Sequence, residues 1–338
     1  WLTRPFFWAM SDDFVVPRVT LGRTDLTLPL VSFGASPLGS VFKEVSQQDA
    51  NDAVDCALSL GINYFDTSPY YGGGKSEETL GTALAASGRQ RSTFLVGSKA
   101  GRNTDGSFDF SPANVEASLT ETLRRLGTDH LDTLLLHDVE FGVGSFTGDV
   151  PPQQLHDLLD GIMPTLLKLR DARQVRAVGY SGYPLSLFTS PSPPHAPLPP
   201  HGVDYVLSYC HNNLHNRSAS LCLDTLAARG IGVVVASPLS MGLLSPGGPP
   251  PWHPAPPRLA AAASEAREAV SAAGGNIAEV AVGWALAQGR HRQVSTLVGM
   301  CSEAEVRANY ETTRKVCVGD GVDRHLVELA EEKLWPVF

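Results

Sequence analysis

Residues 111–138, SPANVEASLTETLRRLGTDHLDTLLLHD, contain the repeating unit from which the fold can be deduced. Ser111 and Pro112 are typical of a helix start, with serine as the N-cap and proline at the first helical position. Apolar residues then recur at helical spacing: Val115, Leu119, Leu123 and Leu126. The leucine-rich run Leu131–Leu136 follows and predicts a buried β-strand.

Eight short runs of this kind alternate with helix-like segments along the chain. They are Leu30–Phe33, Ile62–Phe65, Thr93–Val96, Leu131–Leu136, Val175–Tyr180, Tyr205–Leu207, Ile231–Ala236 and Ser295–Val298. Such runs fit parallel strands that are buried on both faces and joined by crossover helices. A doubly wound open sheet would show the same alternation, but the turn GASPLG at residues 34–39 lacks its G-x-G-x-x-G fingerprint. The alternation therefore favours an α/β fold of the (β/α)₈ TIM barrel type.

The remaining segments are assigned around one barrel domain at residues 18–338. Residues Arg18–Pro29 predict a β-hairpin at the bottom of the barrel, and a helical tail is expected at the C-terminus. Residues 1–17 are expected to form a poorly ordered extension. The proline-rich segments Ser190–His201 and Pro246–Pro257 predict loops. Because the second follows the seventh run, we expect it to act as a lid over the catalytic face.

Composition and charge limit the classes of partner. The 338 residues carry a net charge of −9, which argues against nucleic acid as the main partner. No apolar run approaches the roughly 18 residues that a membrane span requires, so no membrane partner is expected. The five cysteines are scattered and form no C-x-x-C pair, which argues against disulfides and zinc and favours a reducing compartment. We expect a cytoplasmic protein without a metal; the oligomeric state is not indicated.

Polar residues or glycines stand at the predicted strand ends, where (β/α)₈ barrels carry their active sites. They are Asp66, Lys99, His137, Ser181, Ser208, Ser237 and Gly299. Each alone could be a turn residue, a solvated strand end or a histidine at the edge of the core. Together they predict a polar site at the C-terminal face.

Three segments carry a resemblance to a known family. They are GINYFDTSPYYG (residues 61–72), VGSK (residues 96–99) and LLLH (residues 134–137). From about Val19 to its end, the chain resembles the aldo-keto reductase superfamily, whose catalytic tetrad would here be Asp66, Tyr71, Lys99 and His137. The family's spacing of five residues from the aspartate selects Tyr71 instead of Tyr70. The resemblance implies hydride transfer between a nicotinamide cofactor and a carbonyl or carbinol substrate.

The chemistry agrees with the roles that the resemblance implies. A tyrosine with its ordinary pKa of about 10 is a poor base at neutral pH. We expect Lys99 to lower the pKa of Tyr71 and Asp66 to hold Lys99 in place. His137 would bind the substrate oxygen, and the cofactor would supply the hydride chemistry.

The cofactor type follows from the segment after the eighth run. Family members that prefer NADP usually carry a lysine near its start and an arginine four residues before an asparagine. The corresponding residues here are Gly299, Glu305 and Asn309. Since the Glu305 carboxylate would repel a 2′-phosphate, the resemblance implies NAD. Arg307 leaves NADP open, because a loop shift could bring its side chain to a phosphate.

The residues expected to bind the nicotinamide ring of the cofactor depart from the family pattern. Gly182 replaces the usual asparagine after Ser181, Ser208 replaces a glutamine, and Ala236 replaces the aromatic residue that stacks on the ring. Tyr209 or Tyr180 is therefore expected to hold the ring. The further cofactor contacts implied by the resemblance are Gly34, Ser237, Leu239 and Gly242.

Five segments narrow the resemblance to one branch of the family, the plant-type L-galactose dehydrogenases. They are FGASPLGSVF (33–42), SYCH (208–211), ASPLSMGLL (236–244), GPPPWHP (248–254) and LVGM (297–300). The branch implies NAD-dependent oxidation of L-galactose at C1 to the lactone, a step towards ascorbate. The expected substrate contacts are Ala35, Ser36, Phe141, Trp252 and His253, although Trp252 could equally be a buried anchor of its loop.

Other functions within the same family stay open. A dehydrogenase of the same fold could act on L-fucose or D-arabinose, which share stereochemistry around the oxidised carbon. An NADPH-dependent aldehyde reductase would work in the opposite direction, against which Gly299 and Glu305 speak. A cofactor-sensing auxiliary subunit, as in potassium channels, would retain the same tetrad.

Overall fold

A two-stranded hairpin and a closed eight-stranded barrel make up the sheets of the computed structural model, which describes residues 14–144, 151–189 and 201–337. The strands are β1 (Arg18–Thr20), β2 (Thr27–Pro29), β3 (Val31–Gly34), β4 (Tyr64–Asp66), β5 (Leu95–Ala100), β6 (Leu131–Leu136), β7 (Val175–Gly182), β8 (Tyr205–Tyr209), β9 (Gly232–Ala236) and β10 (Ser295–Gly299). Strands β3 to β10 are all parallel, and β10 returns to pair with β3. The predicted TIM barrel is confirmed.

Helices cover the outside of the barrel. Within the described residues they are α1 (Gln47–Ser59), α2 (Lys75–Ala86), α3 (Pro112–Leu126), α4 (Pro152–Asp171), α5 (Ser220–Ala228), α6 (Pro257–Ala272), α7 (Ile277–Arg292), α8 (Glu303–Val318) and α9 (Arg324–Leu334). Ser111 caps α3 as predicted, because its side chain accepts a hydrogen bond from Asn114 N. The helical tail is also present, since α9 follows α8 and packs on α6. The predicted loop Ser190–His201 lies, apart from His201, outside the described residues.

A helix that spans a membrane must be about 18 or more residues long and largely apolar. No single helix in the described parts of the chain is long and apolar enough to cross a membrane. Helices α6 and α7 meet the criteria only when taken as a pair, across a bend of 101°.

The predicted hairpin β1–β2 lies at the N-terminal end of the barrel strands. Its turn residue Gly22 has a φ of +58°, and a Cβ there would lie 2.4 Å from Gly232 N at the start of β9. Only glycine permits this approach. Upstream of the hairpin, Val16 is buried and Phe14 packs edge-to-face on Tyr310. The packed chain thus begins before the predicted boundary at residue 18, and the assignment of a single domain stays a prediction.

Asp132, Tyr64 and Thr133 are buried polar residues of the barrel wall that are paired within the protein. Asp132 interrupts the leucine run of β6, and its carboxylate pairs with Arg91 at 2.8 Å and with Arg176 at 2.9 Å. Inside the barrel, Tyr64 Oη and Thr133 Oγ1 lie 2.9 Å apart. Such pairing removes most of the cost of burying polar groups.

Candidate active site

The four tetrad residues meet in one cavity of about 620 Å³ at the C-terminal end of the barrel. Asp66 is the last residue of β4, His137 follows β6, and Tyr71 lies in the loop after β4. Lys99 lies within β5, which begins and ends later than the predicted run Thr93–Val96. The predicted bounds of this strand were wrong because β5 contains buried polar residues, which a search for apolar runs misses.

Lys99 is a buried cation held by two oxygen atoms. Its ammonium donates to Asp66 Oδ1 and, at 2.8 Å, to the carbonyl oxygen of Thr67. The side chains of Lys99 and Asp66 are each only 2% exposed. Burial by itself would lower the pKa of Lys99, but Asp66 and Tyr71 together raise it above its ordinary value. Asp66 and Tyr71 thus favour the charged form of Lys99 in the cavity.

Tyr71 lies beside this charge, with Lys99 Nζ 4.9 Å from the centroid of its ring. Burial raises the pKa of the Tyr71 phenol, while Lys99 acts in the opposite direction and Asp66 reinforces the rise. Lys99 thus acts on the pKa of Tyr71 in the expected direction, but the loss of water around the phenol outweighs it and the net pKa is raised.

The imidazole of His137 is neutral. Burial, Lys99 and Arg102 hold its pKa well below the usual value. Its Nδ1 lies 2.9 Å from Ser68 Oγ, which already accepts a hydrogen bond from Tyr70 N. Because Ser68 can then donate its hydroxyl proton to Nδ1, this pattern favours the tautomer with the proton on Nε2. A neutral imidazole of this tautomer can donate a hydrogen bond to a substrate oxygen.

A close backbone contact fixes the loop that carries Tyr71. Gly72 has a φ of +65°, and a Cβ there would lie 2.2 Å from Gly39 O. A Cβ at Gly39 would lie 2.7 Å from Tyr71 O. Neither position has room for a side chain, so these glycines hold Tyr71 against the loop after β3.

The predicted cofactor residues divide into two groups. Those that line the cavity are Gly34, Ser181, Tyr209, Ser237 and Gly299. Those that do not line it are Ser208, Leu239, Gly242, Glu305 and Asn309. Ser208 Oγ instead pairs with His211 Nδ1 at 3.0 Å. Lining residues that the sequence reasoning missed include Val41, Phe42, Leu207, Met241 and Leu297.

The two tyrosines proposed to hold the ring have different positions. Tyr209 lines the cavity at the end of β8. Tyr180 does not: its hydroxyl donates to Leu187 O at 2.6 Å and its ring stacks on Phe188. The alternative that assigned the ring to Tyr180 is therefore wrong, because neighbouring residues of a strand face opposite sides and Ser181 takes the inner position.

The space next to Gly182 is filled by a carboxylate from another loop. A Cβ at Gly182 would lie 2.5 Å from Glu140 Oε2 and 2.1 Å from Leu187 Cδ1. Glu140 Oε1 accepts from Tyr183 N at 2.9 Å, whereas Oε2 has no hydrogen-bond partner among the described residues. Burial, reinforced by Asp138, raises the pKa of Glu140 to about 7.

We expect Glu140 to make stability depend on pH. Its folded pKa of about 7 exceeds the ordinary 4.5, so the folded state binds more protons between these values and stability falls as pH rises through this window. The full effect is on the order of 3 kcal/mol. Glu140→Gln should flatten the dependence, measured as the free energy of unfolding at pH 5 and pH 8. The exposed control Glu78→Gln should retain it; an equal slope in Glu140→Gln would refute the assignment.

Glu305 forms a bridge between two loops. Its Oε1 pairs with Lys43 Nζ at 3.0 Å, and its Oε2 accepts from Cys301 N at 2.8 Å. Arg307 pairs with Glu303 on the exposed face of α8. The cation that pairs with Glu305 is thus Lys43, which no pattern in the sequence indicated.

The predicted substrate residues also divide. Ser36 and Trp252 line the cavity, whereas Ala35, Phe141 and His253 do not. His253 holds the loop, because Nε2 contacts Ser240 O at 2.8 Å and Nδ1 accepts from Ala255 N at 3.0 Å. Trp252 is 50% exposed, so the buried-anchor alternative is wrong. Its ring lies 5.5 Å from that of Phe42 at the cavity, and the role of its loop as a lid stays a prediction.

The cavity can accommodate a nicotinamide ring. Gly34 and Gly299 present only backbone at the ends of β3 and β10, and a Cβ at Gly34 would lie 3.1 Å from Val298 O. Tyr209 offers an aromatic face, and Ser237 a hydroxyl. Helix α8 begins at Glu303, shortly after Gly299, and the N-termini of helices favour the binding of phosphate groups.

The comparisons with known proteins agree with this geometry. The sequence profile of the Aldo/keto reductase family matches residues 30–319. The chain belongs to this family. Members are oxidoreductases that use nicotinamide cofactors and act on small molecules.

Several curated relatives are dehydrogenases of sugars by name. The chain is 40% identical to L-galactose dehydrogenase of Arabidopsis thaliana over 318 residues, which cover 94% of each protein. It is 31% identical to D-arabinose 1-dehydrogenase of Saccharomyces cerevisiae over 268 residues, which cover 77% of this chain and 75% of the relative.

A solved structure shows the same fold. An aldo-keto reductase from Bacillus halodurans, solved in its holo form, superposes with a TM-score of 0.64 at 21% identity. The superposition covers 94% of this chain and 96% of that one.

Proposed function

We propose that the protein oxidises L-galactose at C1 to the lactone with NAD, a step towards ascorbate in the cytoplasm. The observation that carries the proposal is the cluster of Lys99, Tyr71 and His137 around one cavity. The identity to L-galactose dehydrogenase over nearly the whole chain supports the choice of sugar.

The tetrad residues have complementary roles in this reaction. Gly34, Tyr209 and Ser237 would hold NAD, which when bound would supply the acceptor for the hydride from C1. Tyr71 would accept the proton of the C1 hydroxyl, and the Lys99 cation would stabilise the phenolate form. Asp66 keeps Lys99 in position. Neutral His137 would donate a hydrogen bond from Nε2 to the C1 oxygen and orient it.

A panel of sugars tests the assignment. The purified protein is incubated with NAD and with L-galactose, L-fucose, D-arabinose or unrelated aldoses, and NADH formation is followed by absorbance. We expect the highest kcat/KM with L-galactose. A higher value with D-arabinose would favour a second candidate, which the relative of that name supports. No turnover with any sugar would contradict both and favour a cofactor-sensing role.

The cofactor preference is tested at Glu305. The Lys43–Glu305 pair is close to neutral overall, so Glu305→Arg would place two cations at the proposed adenosine site. We expect the ratio of kcat/KM with NADP to that with NAD to rise about tenfold or more, as for a charge-assisted hydrogen bond.

Arg307→Gln is the matched control for Glu305→Arg, because Arg307 pairs with Glu303 on the exposed face of α8. Its ratio should stay unchanged. An unchanged ratio in Glu305→Arg would remove Glu305 from the adenosine site.

A further inference from the structure

Arg102 is a cation of the cavity wall to which the proposed mechanism gives no role. Its guanidinium lies 3.4 Å from the centroid of the Tyr70 ring and 5.1 Å from that of Phe108. Within the described residues, its hydrogen-bond acceptor is Asp138 Oδ2 at 2.7 Å, and Nε has none. A guanidinium has five N–H donors in a rigid plane, so Arg102 retains donors that have no acceptor among the described residues.

Asp138 is the second half of the pair and follows His137 directly. Its φ of +54° places it in the left-handed region, which aspartate tolerates better than most residues. Its backbone N–H donates to Ser181 Oγ at 3.3 Å, and its carboxylate lies 3.7 Å from His137 Nε2. Arg102 and Asp138 both line the cavity next to the atom that would hold the reacting oxygen.

We propose that the Arg102–Asp138 pair binds the hydroxyl on the carbon next to the reacting one, C2 of the sugar, and selects substrates that carry it. This inference rests on the proposed function. The guanidinium donates a hydrogen bond to the C2 oxygen and the carboxylate accepts one from the C2 hydroxyl, so the pair supplies a donor and an acceptor to a single hydroxyl. The pair lies beside His137, which places it next to C1 and not at the far end of the sugar.

Because the Arg102–Asp138 pair is rigid, we expect it to select substrates with a C2 hydroxyl and not only to raise the affinity for the sugar. The rings of Tyr70 and Phe108 hold the guanidinium, and Asp138 is almost completely buried. A preorganised charged pair left without its hydroxyl loses hydrogen bonds that it cannot regain from bulk water. L-Galactose, L-fucose and D-arabinose all retain the C2 hydroxyl, so this pair is expected to accept all three.

The experiment compares L-galactose, 2-deoxy-L-galactose and L-fucose, its 6-deoxy analogue, with NAD. In the unmodified protein, kcat/KM should fall about ten- to hundredfold on removal of the C2 hydroxyl and by less than about threefold on removal of the C6 hydroxyl. Arg102→Leu should bring the L-galactose to 2-deoxy ratio close to one without changing the Kd for NAD. Arg102→Lys, which retains a charged donor, should recover part of the ratio.

The control is Arg124→Leu on α3, where the exposed Arg124 pairs only with Glu121 among the described residues. It should leave all ratios unchanged. Because Arg102→Leu leaves the Asp138 carboxylate buried and unpaired, the double variant Arg102→Leu/Asp138→Leu provides a second test in which both charges are absent.

The possible outcomes separate the two proposals. A ratio of kcat/KM for L-galactose to that for 2-deoxy-L-galactose near one in the unmodified protein would overturn the role of the pair. The same ratio in the Arg102 variants as in the unmodified protein would also overturn it. Absence of NADH formation with every sugar in the unmodified protein would instead overturn the proposed function.

Discussion

Tyr71→Phe is expected to lower kcat for L-galactose oxidation by about 10²- to 10⁴-fold, the usual contribution of a general base. The substitution removes the hydroxyl that would take the C1 proton. It retains the ring, which packs edge-on against His137 with centroids 5.5 Å apart. The Kd for NAD should therefore stay unchanged. Steady-state kinetics and fluorescence titration with the cofactor measure the two quantities.

The matched control for Tyr71→Phe is Tyr183→Phe, a half-exposed tyrosine outside the cavity lining. It should retain kcat within about twofold. If Tyr71→Phe also kept kcat within tenfold, another group would have to carry the proton, and the assignment of Tyr71 would fail.

Oxidation should also become faster as pH rises. Burial raises the pKa of the Tyr71 phenol, so the proton-accepting phenolate is the minor form at neutral pH and its fraction grows with pH. The pKa of His137 lies well below its usual value, so His137 does not titrate in the same range. A profile of kcat against pH for the unmodified protein and Tyr71→Phe tests this; a flat profile in the unmodified protein would contradict it.

Lys99→Met is expected to reduce both turnover and stability. The substitution leaves the Asp66 carboxylate buried without its cation, and breaking a buried ion pair in this way costs about 3–5 kcal/mol. The loss should be smaller at acidic pH, where Asp66 can take up a proton. Chemical denaturation at several pH values measures the free energy of unfolding.

The double variant Lys99→Met/Asp66→Asn separates the two effects. Asparagine carries no charge, so most of the stability should return while turnover stays lost. Recovery of turnover together with stability would show that Lys99 has only a structural role.

Much of the barrel could be predicted from the sequence because buried parallel strands are apolar over their whole length. Leu131–Leu136 and Ser295–Val298 correspond closely to β6 and β10. The prediction was poorest at β5, where Gly97, Ser98 and Lys99 are buried in spite of their low hydrophobicity. Ser98 is satisfied there by Glu77, a residue distant in sequence.

The site could be predicted only in part. Polar residues at the predicted strand ends were sufficient to indicate Asp66, Lys99 and His137, which lie at or near the ends of β4, β5 and β6. Tyr71 was selected only through the resemblance to the family, because it lies in the loop after β4. The raised pKa of Tyr71 could not be predicted in this way, because burial depends on how loops pack.

Two cavity residues were missed although a sequence signal existed. Arg102 and Asp138 are charged residues just after β5 and next to His137, where a barrel presents its functional side chains. The hydrogen bond between Arg102 and Asp138 joins the loop after β5 to the loop after β6, so no local sequence pattern indicates it.

Transfer of deuterium from C1 tests the central claim most directly. The purified protein is incubated with NAD and L-galactose that carries deuterium at C1, and the NADH formed is analysed by mass spectrometry. Direct hydride transfer within the cavity around Tyr71 and Lys99 predicts one deuterium in each NADH molecule and its loss from the sugar product. NADH without deuterium, or no NADH at all, would contradict the account.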